Sequence, residues 1–261
     1  MSVIKSFDGA PIYYQVDGVG SPALIFVHGW CCNHTFWSSQ LTHFSNNHLV
    51  ITLDLAGHGG TKSERRLWNM ENYAKDVVAV YESLGISEVI LIGHSMGGAV
   101  ILEAARLIGP NVKGLICVDA IVYSFYSEMT NDQIDAYVQP YENDFASTMK
   151  DLVSYMLPDD VDRDLYHQIT TVMSSVPMSV ALPSLRAILA WDFRKSLTRL
   201  QAPLTCLCAR DSISEINLEE FDDLLTIRSI PDVGHFLMME DPLAFNRELE
   251  SLIDELNKEK R

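Results

Sequence analysis

Short apolar runs alternate along the chain with stretches in which apolar residues recur every three or four positions. The first pattern predicts buried strands and the second predicts amphipathic helices. Residues 3–7 and 12–16, joined through Asp8-Gly9, indicate an N-terminal hairpin. Further strands are predicted at 23–27, 49–54, 89–93, 112–119, 204–209 and 225–230, and helices at 36–44, 70–84, 97–108, 192–200 and 242–256. This alternation is typical of an α/β fold with a mostly parallel sheet.

The alternation is interrupted once, between residues 119 and 192. Residues 121–190 contain no buried-strand run. Acidic, helix-like stretches lie instead at 132–141, 144–156 and 165–173. We therefore predict a helical cap at 121–190, inserted into a core formed by 1–120 and 191–261. A chain of 261 residues is long enough for one such domain.

Charge and composition limit the kinds of molecule that the protein is expected to bind and the compartment in which it is expected to lie. The formal net charge of −16 disfavours binding to nucleic acid or to anionic lipid. No apolar run reaches the roughly 18–20 residues of a membrane span, and the first eleven residues do not have the pattern of a signal peptide. Five cysteines, an odd number, favour a reducing, cytoplasmic location. Their spacing does not suggest a metal site.

The sharpest chemical signal is the sequence GHSMGG at residues 93–98, placed between a predicted strand and a predicted helix. A serine on such a turn is presented above the sheet as a nucleophile, and small residues must flank it because the turn is tight. We predict Ser95 as the nucleophile. The Met96 amide would donate one hydrogen bond to the oxyanion of the tetrahedral intermediate. The Trp30 amide, in His28-Gly29-Trp30 directly after the predicted strand at 23–27, would donate the second hydrogen bond.

A general base is predicted at His235. Of the eight histidines, it alone lies in a glycine-bounded loop after the last strand. The acid that orients its ring should also follow a strand. Asp211 follows the strand at 204–209 and is our expected acid. Asp119, at the end of the strand at 112–119, is the alternative.

These residues, in the order serine, aspartate, histidine, resemble the α/β-hydrolase family. The motifs VHGW, DLAGHG, GHSMGG and VGHFLMMEDP occur in the order expected for that family, and the resemblance covers nearly the whole chain. The resemblance implies an eight-stranded, mostly parallel sheet with a helical cap and a reaction that uses no cofactor.

A serine nucleophile, a histidine base and two amides favour acyl transfer to water through an acyl-enzyme. We predict a carboxylesterase that acts on small or medium, largely uncharged esters. Residues 121–190 contain ten acidic and three basic side chains, which gives a net charge of −7. This charge should repel acyl-carrier and coenzyme A thioesters. Three alternatives stay open: a thioesterase or acyl-carrier esterase, a cofactor-free lyase, and a small-ligand receptor with the same triad.

Overall fold

The computed structural model describes residues 1–120, 129–198, 200–209 and 225–258. The strands are β1 Ser2–Lys5, β2 Pro11–Asp17, β3 Ala23–Val27, β4 Val50–Leu53, β5 Val89–His94, β6 Val112–Val118, β7 Leu204–Ala209 and β8 Thr226–Ile230. They form one eight-stranded sheet in the order β1-β2-β4-β3-β5-β6-β7-β8. The first two strands are an antiparallel hairpin, and β2 also pairs antiparallel with β4. All other pairs are parallel, which confirms the predicted sheet.

Helices cover the centre of the sheet, where every residue of β3, β4 and β5 is buried. Burial of both faces explains why these strands are continuous apolar runs and not alternating ones. The helices around the sheet are α1 Ser38–Phe44, α2 Met70–Ser83, α3 Met96–Ile108, α8 Phe193–Leu197, α9 Leu237–Glu240 and α10 Pro242–Lys258. Helix α3 packs against β5, β6 and α2.

Two predicted helices differ in extent from the observed ones. The segment at 36–44 begins as a 3₁₀ turn, His34–Trp37, whose first turn is capped by the side chain of Asn33, and continues as α1. The helix predicted at 192–200 is only the short α8, capped by the Asp192 side chain. Both differences are at helix ends, where capping side chains decide the local geometry.

Between β6 and β7 lie four helices, called here the cap helices: α4 Asn131–Asn143, α5 Phe145–Met156, α6 Arg163–Ser174 and α7 Met178–Leu189. The first three are in the stretches predicted from the sequence, and α7 is an addition. Helix α7 attaches the cap helices to the core. Its Ala181 carbonyl accepts a hydrogen bond from Trp30 Nε1 at 2.8 Å, and its Ser184 hydroxyl lies 2.6 Å from the Tyr73 hydroxyl.

In the part of the chain that the structure describes, no single helix is both long enough and apolar enough to cross a bilayer. Helices α6 and α7 reach that length and composition only as a pair, and they are bent by 96° where they meet.

Candidate active site

Ser95 lies at the sharp turn between β5 and α3, the position predicted for it. Its backbone has φ +51° and ψ −121°, in a region that non-glycine residues rarely adopt. The turn is held by hydrogen bonds from the Ser95 amide to the Val118 carbonyl (3.0 Å) and from the Gly98 amide to the Ser95 carbonyl (2.8 Å). A strained residue held in this way is a hallmark of a nucleophile elbow.

The glycines on either side of Ser95 are required by close backbone approaches. A Cβ atom at Gly93 would lie 2.5 Å from the Gly97 carbonyl carbon. A Cβ atom at Gly97 would lie 2.5 Å from the Val27 carbonyl oxygen. Both distances are shorter than any real Cβ contact. Gly93 and Gly97 are therefore required because this turn leaves no space for a Cβ atom at either position.

The loop after β3 is seated directly against the elbow. A Cβ atom at Gly29 would be 3.1 Å from the Ser95 Cβ. His28, fully buried, holds this loop: its Nδ1 donates to the Gly29 carbonyl (2.8 Å), and its Nε2 accepts from the Leu55 amide (3.1 Å). Burial lowers the pKa of His28 to about 4, so the ring is neutral. His28 is thus a structural residue of the loop that carries Trp30.

His235 forms a buried pair with Asp119. The His235 Nδ1 atom lies 2.7 Å from Asp119 Oδ2, and the side chains are 7% and 1% exposed. The second carboxylate oxygen of Asp119 accepts the Ala209 amide at 3.1 Å, so the carboxylate is fixed from two sides. The structure therefore places Asp119, the alternative acid, against His235, the predicted base. The expected acid, Asp211, lies outside the described residues.

The position of Asp119 follows from the order of the strands. Strand β6 lies between β5, which ends at the elbow, and β7, and the Asp119 amide itself donates to the Leu207 carbonyl of β7 at 2.9 Å. The backbone of Asp119 has a φ of +43° at the end of the strand. Asp and Asn tolerate this left-handed conformation better than most residues do. Two strand ends could have supplied this carboxylate, and their sequences do not show which one meets the histidine.

Three groups around His235 were not predicted from the sequence. The Glu240 carboxylate accepts the amides of Gly234 (2.7 Å) and Phe236 (2.8 Å). The carbonyl of Met156, at the end of α5, accepts the His235 amide at 2.8 Å. His94 Nε2 lies 2.9 Å from the His235 carbonyl oxygen. Only Glu240 has a local sequence signal, an acidic residue five positions after the histidine.

A small cavity of about 60 Å³ lies between Ser95 and the cap helices. Its wall is mostly apolar, and two tyrosines are among the residues that line it. The lining residues are Trp30, Ser95 and Met96 from the core and Tyr137, Tyr141, Leu152, Met156, Leu185, Ile188 and Leu189 from the cap helices. Burial raises the pKa of Tyr141, which keeps its hydroxyl neutral.

Of the four methionines in the cap helices, only Met156 lines this cavity. Met149 and Met173 are buried in hydrophobic packing, while Tyr155 and Met178 are exposed. Among the described residues, no group of three or more His, Cys, Asp or Glu side chains could hold a metal ion.

Comparison with known proteins places this geometry in a family. The profile of the Alpha/beta hydrolase family matches residues 24–248. The AB hydrolase superfamily protein YisY of Bacillus subtilis is 27% identical over 215 residues, which are 79% of this chain and 80% of that protein. Karrikin insensitive 2 receptor IA of Petunia hybrida is 22% identical over 201 residues, 74% of this chain and 73% of that protein.

Solved structures agree on the fold. The esterase EaEST of Exiguobacterium antarcticum superimposes with a TM-score of 0.85 at 20% identity, covering 97% of this chain and 99% of the esterase. At that identity the likeness concerns the fold alone. Together with the profile match over most of the chain, the comparisons show that this protein belongs to the alpha/beta hydrolase family.

Proposed function

We propose that the protein is a serine carboxylesterase in which Ser95 is the nucleophile, His235 the general base and Asp119 the acid that orients it. The observation that carries the proposal is the buried His235–Asp119 pair, whose imidazole packs against the ring of His94, the residue before Ser95. Ser95 itself lines an apolar cavity. A carboxylate on Nδ1 places the ring proton there and leaves Nε2 free to accept the serine proton.

The reaction then proceeds in two steps, acylation of Ser95 and hydrolysis of the acyl-enzyme. Ser95 Oγ adds to the ester carbonyl carbon, and its proton passes to His235 Nε2. The amides of Trp30 and Met96 would stabilise the oxyanion. Met96 is the first residue of α3, and the first amide of a helix has no intrahelical acceptor. Collapse breaks the bond to the alcohol, which takes the proton from His235. Water attacks the acyl-enzyme in the same manner and releases the acid.

The substrate that best fits this site is a small or medium, largely uncharged ester. The cavity wall is mostly apolar. The nine acidic side chains that the structure describes between residues 129 and 190 are all exposed on the surface of the cap helices and their connections. Such a surface disfavours anionic acyl carriers. The five cysteines are buried free thiols, in keeping with a reducing, cytoplasmic location.

The test combines covalent labelling with kinetics. A fluorophosphonate should label Ser95, located by mass spectrometry, and p-nitrophenyl esters of increasing chain length should be hydrolysed over many turnovers. Ser95→Ala should abolish both signals, whereas Ser147→Ala, at an exposed serine of α5, should leave both unchanged. Turnover that survives in Ser95→Ala would overturn the assignment of the nucleophile.

A small-ligand receptor is the second candidate, favoured by the similarity to a protein named as a karrikin receptor. Both functions are compatible with the same three side chains. They differ in turnover: a receptor modifies or binds its ligand about once per molecule, whereas an esterase releases many product molecules. A burst of one equivalent without a steady state, across the whole ester panel, would favour the receptor.

A further inference from the structure

The loop that carries His235 presents three consecutive backbone amides, those of residues 234, 235 and 236, and each has an acceptor outside the loop. Glu240 Oε2 accepts the first at 2.7 Å and Glu240 Oε1 accepts the third at 2.8 Å. The Met156 carbonyl accepts the middle one at 2.8 Å. Because buried amides need partners, these three bonds decide where the loop, and with it the imidazole, can lie.

Glu240 is well placed to fix the base because it holds the chain on both sides of it. The carboxylate lies on the short helix α9, directly after the loop. Burial raises its pKa, while the two amide hydrogen bonds and the nearby His235 favour its charged form. A charged acceptor makes amide hydrogen bonds about twice as strong as a neutral one does.

Met156 connects the same loop to the ligand space. Its side chain lines the cavity above Ser95, together with Leu152 from the same helix. Its carbonyl oxygen holds the amide of the base. Gly234 permits the approach, since a Cβ atom there would overlap the Met156 carbonyl oxygen and lie 3.0 Å from Pro158 Cδ and 3.2 Å from Leu157 Cα. Gly234 has no positive φ, so the close approach of α5 explains the glycine.

We propose that Glu240 is a positioning residue for His235 and that the end of cap helix α5 completes its support, so that the position of α5 sets the position of the base. A ligand that displaces Met156 from inside the cavity would then move the catalytic histidine. This inference rests on the proposed function for its kinetic part. Its structural part concerns the His235–Asp119 pair and stands independently.

Two readouts test the proposal in the full-length protein. The first is the proton NMR resonance of the His235 Nδ1–H group, which reports the bond to Asp119 without any turnover. The second is steady-state kinetics with a p-nitrophenyl ester. If the resonance responds and the parent has no esterase activity, the positioning role survives and the proposed function fails. The two failures are therefore distinguishable.

Gly234→Ala should push the end of α5 away from the loop, and Glu240→Ala should release both flanking amides. We expect each to shift or broaden the Nδ1–H resonance and to lower kcat about 100-fold with a much smaller change in KM, since a displacement of about 1 Å at a catalytic group costs that much. Glu240→Gln keeps one acceptor oxygen and should lose less. Two independent substitutions keep the test valid if one of them folds poorly.

The matched controls are Gly60→Ala, where a Cβ atom meets nothing closer than 3.5 Å, and Glu250→Ala, at an exposed glutamate of α10. Both should match the parent. Met156→Leu preserves the carbonyl, so it should change KM and leave the resonance in place. An unchanged resonance and kcat in folded Gly234→Ala and Glu240→Ala would overturn the proposal, as would a Met156→Leu variant that loses the resonance.

Discussion

Replacing Asp119 by Asn tests the most specific statement that the structure makes about the site. Asn removes the charge but preserves the shape, and it tolerates the φ of +43° at this position. Its oxygen must face the Ala209 amide, which Asp119 Oδ1 now accepts at 3.1 Å. The NH₂ group must then face His235 Nδ1, where the carboxylate lies at 2.7 Å. The ring is forced to carry its proton on Nε2, where it cannot accept the proton of Ser95.

The magnitude follows from the two ways in which the variant could respond. Flipping the amide restores the active tautomer but sets two donors against each other at Ala209, which costs about 1–3 kcal/mol. The imidazolium that forms in the transition state still lacks its counter-charge. The matched change in a serine protease lowers kcat about 10⁴-fold, which corresponds to about 5 kcal/mol in activation free energy. We expect a loss of about that size for Asp119→Asn.

The assay is kcat for a neutral p-nitrophenyl ester, measured for the parent, Asp119→Asn and Asp211→Asn. Thermal unfolding confirms that each variant is folded at the assay temperature. Asp211→Asn should remain within about tenfold of the parent. A folded Asp119→Asn protein within tenfold of the parent, together with a large loss in Asp211→Asn, would refute the reasoning and return the acid to the strand end that the sequence favoured.

Three further predictions follow from the packing and the charge. Burial lowers the pKa of His58 to about 3. Below pH 6.5 the unfolded chain therefore binds a proton that the folded chain does not, and the free energy of unfolding decreases as the pH is lowered. In urea unfolding between pH 6.5 and 4.5, His58→Asn should reduce that slope by about 1.4 kcal/mol per pH unit. Gly93→Ala should destabilise the protein by about 1–3 kcal/mol and prevent labelling of Ser95, because its Cβ overlaps the next turn. The acidic cap should favour a neutral ester over a succinyl-type ester in kcat/KM at low salt. That preference should shrink as the Debye length falls from about 10 Å at 0.1 M to about 3 Å at 1 M salt, and the opposite preference would contradict the charge argument.

Much of the fold could be predicted from local patterns. Continuous apolar runs indicated β3 to β7 because strands buried on both faces need no polar positions. The elbow around Ser95 was predictable because a tight strand-to-helix turn leaves space only for glycine at Gly93 and Gly97. The cap helices were visible as an interruption of the alternation. Each of these signals lies within a few residues of the feature that it predicts.

The partner of His235 was decided by the tertiary structure. Asp119 and Asp211 both follow strands in the sequence, and nothing local shows which of the two meets the histidine loop. The choice depends on strand order and on the path of a loop more than 100 residues away in sequence. The same holds for Met156, whose carbonyl reaches the His235 amide from a different helix. The sequence by itself determined the elements and the strained turn at Ser95, since both depend on local space and periodicity. Which carboxylate and which cap residue contact His235 was decided only when packing brought distant strand and helix ends together.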